Sequence, residues 1–167
     1  MNRVTLFLVG VLLITVWTGS AAADESRFAF SWKSVEDKRT NLTWARDANM
    51  GKFDWVGASG LINILNEKEY GGAKEWRIPS RDELGTLVSY AVRSGYGGGA
   101  TLHSPFQFFN KIGFSNAQLC FYWSSTPADS GASNAWVVNM FDGKARVENK
   151  ESNFCVWPVR GGKTEGK

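Results

Sequence analysis

The dipeptide Asp142-Gly143 leaves this chain few options. It separates two segments, residues 135–141 and 144–149, that are rich in strand-forming side chains. Asp-Gly in that setting signals a tight hairpin, because the favoured two-residue turn needs positive φ at its centre. A two-residue turn predicts Met140 opposite Ala145 and Val138 opposite Val147, with Trp136 extending the same face. Asn139, Lys144, Arg146 and Glu148 then occupy the other face. One side is expected to be core and the other wet.

Helix starts are equally explicit. Ser80-Arg81-Asp82-Glu83 is a capping box, in which serine and glutamate satisfy each other's backbone amides. Pro79 blocks helix before it, and Leu84, Leu87, Val88 and Ala91 supply a buried stripe that should end before Gly95. A second helix is predicted over residues 55–66, with Asp54 as N-cap and Trp55, Ala58, Leu61, Ile62 and Leu65 on one face. Gly57 and Gly60 cost it about 1 kcal/mol each, so tertiary packing must hold it. Strands are predicted at residues 27–32, 41–46, 122–126 and 153–160, with a polar turn at Glu36-Asp37-Lys38-Arg39. Residues 95–119 carry no period, and Gly97-Gly98-Gly99 favours no regular element. Strands, two helices, a long irregular segment and more strands give an α+β fold, two helices packed against a small antiparallel sheet.

The first 23 residues stand apart. Arg3 precedes an apolar stretch over residues 4–16, then Gly19-Ser20-Ala21-Ala22-Ala23 and the acidic Asp24-Glu25. That is the pattern of a secretory signal peptide, residues 1–23, cut after Ala23. The apolar stretch is shorter than the ~20 residues a membrane span needs, so no stable span is expected after cleavage. Residues 24–167 are then read as a single domain, periplasmic or secreted. In an oxidising compartment Cys120 and Cys155 are most simply one disulfide. Closing that loop is worth about 4 kcal/mol on the chain-entropy model. With 19 basic and 16 acidic residues and a formal charge of +3, no basic block exceeds two residues. A nucleic-acid partner is not indicated, because phosphate binding needs clustered cations.

Five motifs occur in order: Thr40-Asn41-Leu42-Thr43-Trp44, Glu75-Trp76-Arg77-Ile78-Pro79-Ser80-Arg81-Asp82-Glu83-Leu84, Tyr122-Trp123-Ser124-Ser125-Thr126, Ala135-Trp136-Val137-Val138 and Val159-Arg160. Together they resemble the Lcl C-terminal domain family, the C-terminal domain of bacterial collagen-like adhesins, over about residues 28–161. The resemblance implies an exported domain with a C-type-lectin-like fold, related to that of the formylglycine-generating enzyme. For the adhesin itself it implies binding of glycosaminoglycan-like or other sulfated polysaccharides.

Sharper chemistry fails on spacing. Gly161-Gly162-Lys163-Thr164 mimics a phosphate-binding loop, but that motif needs glycine where Trp157 stands. His103 is the sole histidine and has no nucleophile in a local motif beside it. A zinc site needs four clustered ligands, and the calcium-dependent sugar motifs of C-type lectins do not occur here. Formylglycine-type chemistry would need reactive cysteines close in sequence, which Cys120 and Cys155 are not. No metal, cofactor or catalytic residue is therefore expected, and an enzyme of the formylglycine-generating type is the alternative reading. The expected function is non-enzymatic recognition of an anionic or sulfated polysaccharide, or of an envelope or surface protein. Lys144, Arg146 and Lys150 on the hairpin, with Asn139, are the expected ligand-binding residues, since arginine grips sulfate and carboxylate through its planar fork. Lys111, Phe108 and Phe109 are expected to join them from the irregular segment. Trp44, Trp76, Trp123 and Trp136 are read as packing residues.

Overall fold

Asp54 and Ser80 start the two long helices by the chemistry expected of them. The Asp54 carboxylate accepts the Gly57 amide at 2.7 Å, opening α1 (Trp55–Glu67), which buries Ala58, Ile62 and Leu65. The Ser80 hydroxyl accepts from the Glu83 amide at 3.2 Å while the Glu83 carboxylate accepts from the Ser80 amide at 2.7 Å. This capping box opens α2 (Arg81–Arg93), which buries Leu84, Leu87, Val88 and Ala91 and stops at Ser94. A computed structural model describes residues 27–97 and 104–162. The expected signal segment 1–23, His103, most of the triple glycine, and Lys163 and Thr164 lie outside these described residues.

The segment expected to be irregular holds a third helix, α3 (Pro105–Lys111). Its start is local: the Ser104 hydroxyl accepts the Phe106 amide at 3.3 Å, and Pro105 takes the first turn, where its missing N–H costs nothing. Its stripe is Phe108 and Phe109, at most 1% exposed. These two rings belong to the core, not to a binding surface.

Two sheets replace the single one expected, and the architecture is α+β. The first contains β1 (Phe28–Phe30), β2 (Ser34–Asp37), β3 (Leu42–Ala45) and β9 (Val159–Gly161), in the order β1-β2-β3-β9. The second contains β4 (Lys52–Phe53), β5 (Phe121–Pro127), β6 (Asn134–Asn139), β7 (Ala145–Asn149) and β8 (Phe154–Cys155), in the order β4-β8-β5-β6-β7. All neighbours are antiparallel except β5 and β8. Glu36 and Asp37, expected in a turn, belong to β2. Asp37 is buried, and burial alone would raise its carboxyl pKa. Hydrogen bonds and charge from Arg27 more than offset this and hold it below its ordinary value. The last expected strand splits in two, because Val156, Trp157 and Pro158 carry the chain from one sheet to the other and proline has no N–H to give a ladder.

Trp157 lies fully buried where the layers meet. Its ring centroid is 4.8 Å from Phe114 and 5.5 Å from both Trp44 and Phe109, and its indole N–H donates to the Ala45 carbonyl at 2.9 Å. Trp123 and Trp76 are held the same way, donating to the Phe53 and Tyr70 carbonyls at 2.8 Å each. Large apolar bodies with a satisfied polar tip are what a dry aromatic core requires.

The hairpin exists with a different register. Val138 pairs with Ala145, Val137 with Arg146 and Trp136 with Val147, two residues from the expected alignment. The connection is the four residues Met140 to Gly143. The Asn139 amide donates to the Lys144 carbonyl and the Gly143 amide to the Asn139 carbonyl, both at 2.8 Å. Met140 is fully buried, and the Asn139 side chain accepts the Phe141 amide at 2.9 Å, so a side-chain turn replaces the last rung of the ladder. A slip of two preserves which face each residue occupies. The contrast of core and wet faces nevertheless fails: Ala135 and Val137 are as buried as Val138, because β6 lies inside the sheet, whereas Ala145 on the edge strand is exposed.

Candidate functional site

Cys120 and Cys155 are joined in the expected disulfide, with Cα atoms 6.4 Å apart. The disulfide ties the start of β5 to β8 beside the Tyr122–Cys155 pairing.

Lys144, Arg146 and Asn139 do share one face of the hairpin, but each is already engaged. Lys144 Nζ lies 3.2 Å from Asp142. Arg146 Nε lies 2.6 Å from Glu148, and its guanidinium sits 3.9 Å from the centre of the Phe121 ring. Lys150 donates to the Ala132 carbonyl at 2.7 Å and approaches the Trp55 ring. Lys111 belongs elsewhere, to the last turn of α3.

A better site lies on the opposite face of the hairpin, where α2 covers it. Arg81, Gly85, Ser89 and Arg93 recur every fourth residue along α2, so they form one diagonal row on its surface. Gly85 has no side chain and nothing near its missing Cβ, and Ser89 is small. The helix surface therefore sinks between its two arginines. Trp136, Gly143 and Ala145 line one flank, and Arg39 from the turn after β2 lines the groove as well. The result is an open groove of about 700 Å³ with Asp82 and Thr86 also on its floor. A second depression of about 340 Å³ shares Arg39, Asp82 and Thr86 and adds Thr40, Asn41 and Gly162. The two depressions adjoin at these shared residues.

Its electrostatics are one-sided. Three guanidiniums line the groove with one carboxylate, Asp82, which pairs with Arg81 Nε at 3.4 Å. Among the described residues, neither Arg39 nor Arg93 has an ion-pair partner. Glu83, at the edge, is committed to Arg77 through two hydrogen bonds of 2.6 and 2.8 Å. Burial would raise its pKa, but Arg77 and the Ser80 amide hold it below the usual range. The Arg81 guanidinium stands 4.9 Å from the centre of the Trp136 ring, and this cation–π contact restricts where Arg81 can point. Trp136 is thus half-buried beside the groove, unlike Trp44, Trp76 and Trp123, which are core.

An open, shallow, arginine-lined trough can hold an extended anion through charge-assisted hydrogen bonds. The most perturbed hydroxyl, on Tyr122, is pushed up to about 12 by burial; it lies in the core and accepts the Gln118 amide. Among the described residues, no three or more His, Cys, Asp or Glu side chains cluster to hold a metal ion, and no helix is long and apolar enough to cross a membrane. Sequence reasoning missed the groove, although the four-residue repeat of Arg81, Gly85, Ser89 and Arg93 was a readable signal. Arg39 and Trp136 join only through tertiary structure.

The Lcl C-terminal domain model matches residues 33–160. No curated protein matches the sequence.

Proposed function

The chain belongs to the Lcl C-terminal domain family, and on that premise we propose that it is an exported, non-catalytic recognition module for an anionic polysaccharide. The binding surface in this reading is the α2 groove. The observation that carries it is the set of Arg39, Arg81 and Arg93 around one open groove, with a single carboxylate, Asp82, lining it and paired to Arg81. Guanidinium forks match sulfate and carboxylate, and an open groove admits a polymer passing through. The hairpin face is the weaker choice because Glu148, Asp142 and a backbone carbonyl already satisfy its cations. The formylglycine-generating alternative has less support, since both cysteines are spent in a crosslink to each other. Contacts of this kind are exposed and screened, so affinity per domain should be weak and should fall with salt.

Heparin binding at low and physiological salt, measured for wild type, Arg81→Ala/Arg93→Ala and Lys144→Ala/Arg146→Ala, tests the assignment. The first double variant should lose at least about tenfold in affinity at low salt, as expected for two charge-assisted contacts. The second should retain most of it. The reverse ranking would move the site to the hairpin, and absence of binding by wild type at low salt would favour an envelope protein as partner.

A further inference from the structure

We infer that the α2 groove selects its ligand by length: it holds an acidic chain lying along the helix and gripped at two ends, by Arg81 and by Arg93. The inference rests on the anionic-ligand reading above and adds to it a direction and a minimum span. Arg81 opens α2 and Arg93 closes it. At ~1.5 Å of rise per residue, their Cα atoms stand roughly 18 Å apart along the axis. Both line the same trough, and between them the same row of the helix offers only Gly85 and Ser89. The groove is therefore cationic at its ends and small and neutral along its row, with Arg39 approaching from the flank.

The ends differ in stiffness. Arg81 is restrained by Trp136 and by Asp82, whereas Arg93 is exposed and unpaired among the described residues. The Arg81 end should act as the fixed anchor and the Arg93 end as the adjustable one. A short anion reaches one arginine at a time and binds as weakly as any exposed ion pair. A chain that spans both makes the second contact intramolecular, so affinity climbs steeply once the span is met and then levels off.

Size-fractionated heparin oligosaccharides, from disaccharide to octasaccharide, test this on the secreted protein by competition against immobilised heparin. Wild type should show a step of at least about tenfold between lengths that fall short of the two arginines and lengths that reach both. Arg93→Ala should remove the step, so that affinity no longer jumps between short and long oligosaccharides. Arg81→Ala should weaken every length, and Arg93→Lys, which keeps the charge, should restore the step in part. Affinity rising smoothly with total sulfate number, unchanged in shape by Arg93→Ala, would overturn the two-ended site while leaving groove binding intact. Failure of every length to bind would remove the anionic-ligand reading itself.

Discussion

Arg77 and Glu83 face each other with two parallel hydrogen bonds, 2.8 and 2.6 Å long, across the start of α2. The pair does more than neutralise charge. Glu83 is also the returning half of the capping box, and Arg77 also donates to the Gly161 carbonyl at 2.9 Å. Arg77 further bridges Val159 through its backbone. One carboxylate thereby fixes a helix end to the last strand of the first sheet.

Glu83→Ala should consequently cost more than a surface ion pair. Both side chains are partly exposed, which discounts the Coulomb part, so the loss is set by the cap and the bidentate hydrogen bonds, about 1–3 kcal/mol in sum. Urea unfolding followed by tryptophan fluorescence measures it. A change below a few tenths of a kcal/mol would mean that the pair is ornamental.

Acid should destabilise the domain through two named carboxyls. Asp37 and Glu83 both have pKa values below their ordinary ones in the folded state. Unfolding lets each take up a proton at higher pH than folding does, so their stabilisation is complete above the unfolded values near ~4 and declines as pH falls below them. The urea midpoint should hold steady on this account from neutral pH to about 5 and drop below ~4. A midpoint that rose on acidification would contradict the assignment.

Removal of the disulfide should lower the melting temperature substantially. Cys120→Ser or Cys155→Ser releases a loop whose closure is worth about 2–4 kcal/mol, and Cys155 is fully buried. Heparin affinity of the fraction that remains folded should be unchanged, because neither cysteine lines the groove. Thermal unfolding with and without reductant gives the first quantity, and binding below the transition gives the second.

Gly161→Ala should be disproportionately harmful for one added methyl. Gly161 has φ +72°, and a Cβ there would lie 2.7 Å from the Asn41 carbonyl oxygen. Positive φ and collision with a backbone atom both oppose the change, at a cost of roughly 1–3 kcal/mol. Gly85→Ala, in open space on an α-helix, should instead be neutral or mildly stabilising. Equal effects from the two substitutions would refute the geometric argument.

The parts of this fold legible in the sequence are those specified by neighbours along the chain. The Ser80 capping box, the Asp54 cap, the buried stripe of α2 and the pairing of two cysteines all followed from local chemistry. Register did not, because Met140 is drawn into the core by contacts distant in sequence and the Asn139 side chain stands in for a rung of the ladder. Short β4 and β8 exist only because each finds a partner far along the chain. The α3 helix was readable from Ser104-Pro105, and the absence of a longer period hid it. The binding residues were sought where positive charge clusters in sequence, around residues 144–150. Arg81 and Arg93 share a four-residue row of α2 that the sequence does spell out, but Arg39 reaches the same groove from the turn after β2, and no spacing rule contains that meeting.

The crossing segment between β8 and β9 governs when this protein can fold. It places Cys155 between β4 and β5, Trp157 at the centre of the aromatic cluster and Val159 against Trp44. These residues follow β1 to β7 and all three helices in the chain, yet both sheets are built around them. A growing chain therefore has no closed interior to settle into until its final strands have emerged, and nascent intermediates must stay open and pliable. A chain truncated before residue 154 should be far more protease-sensitive than the full one.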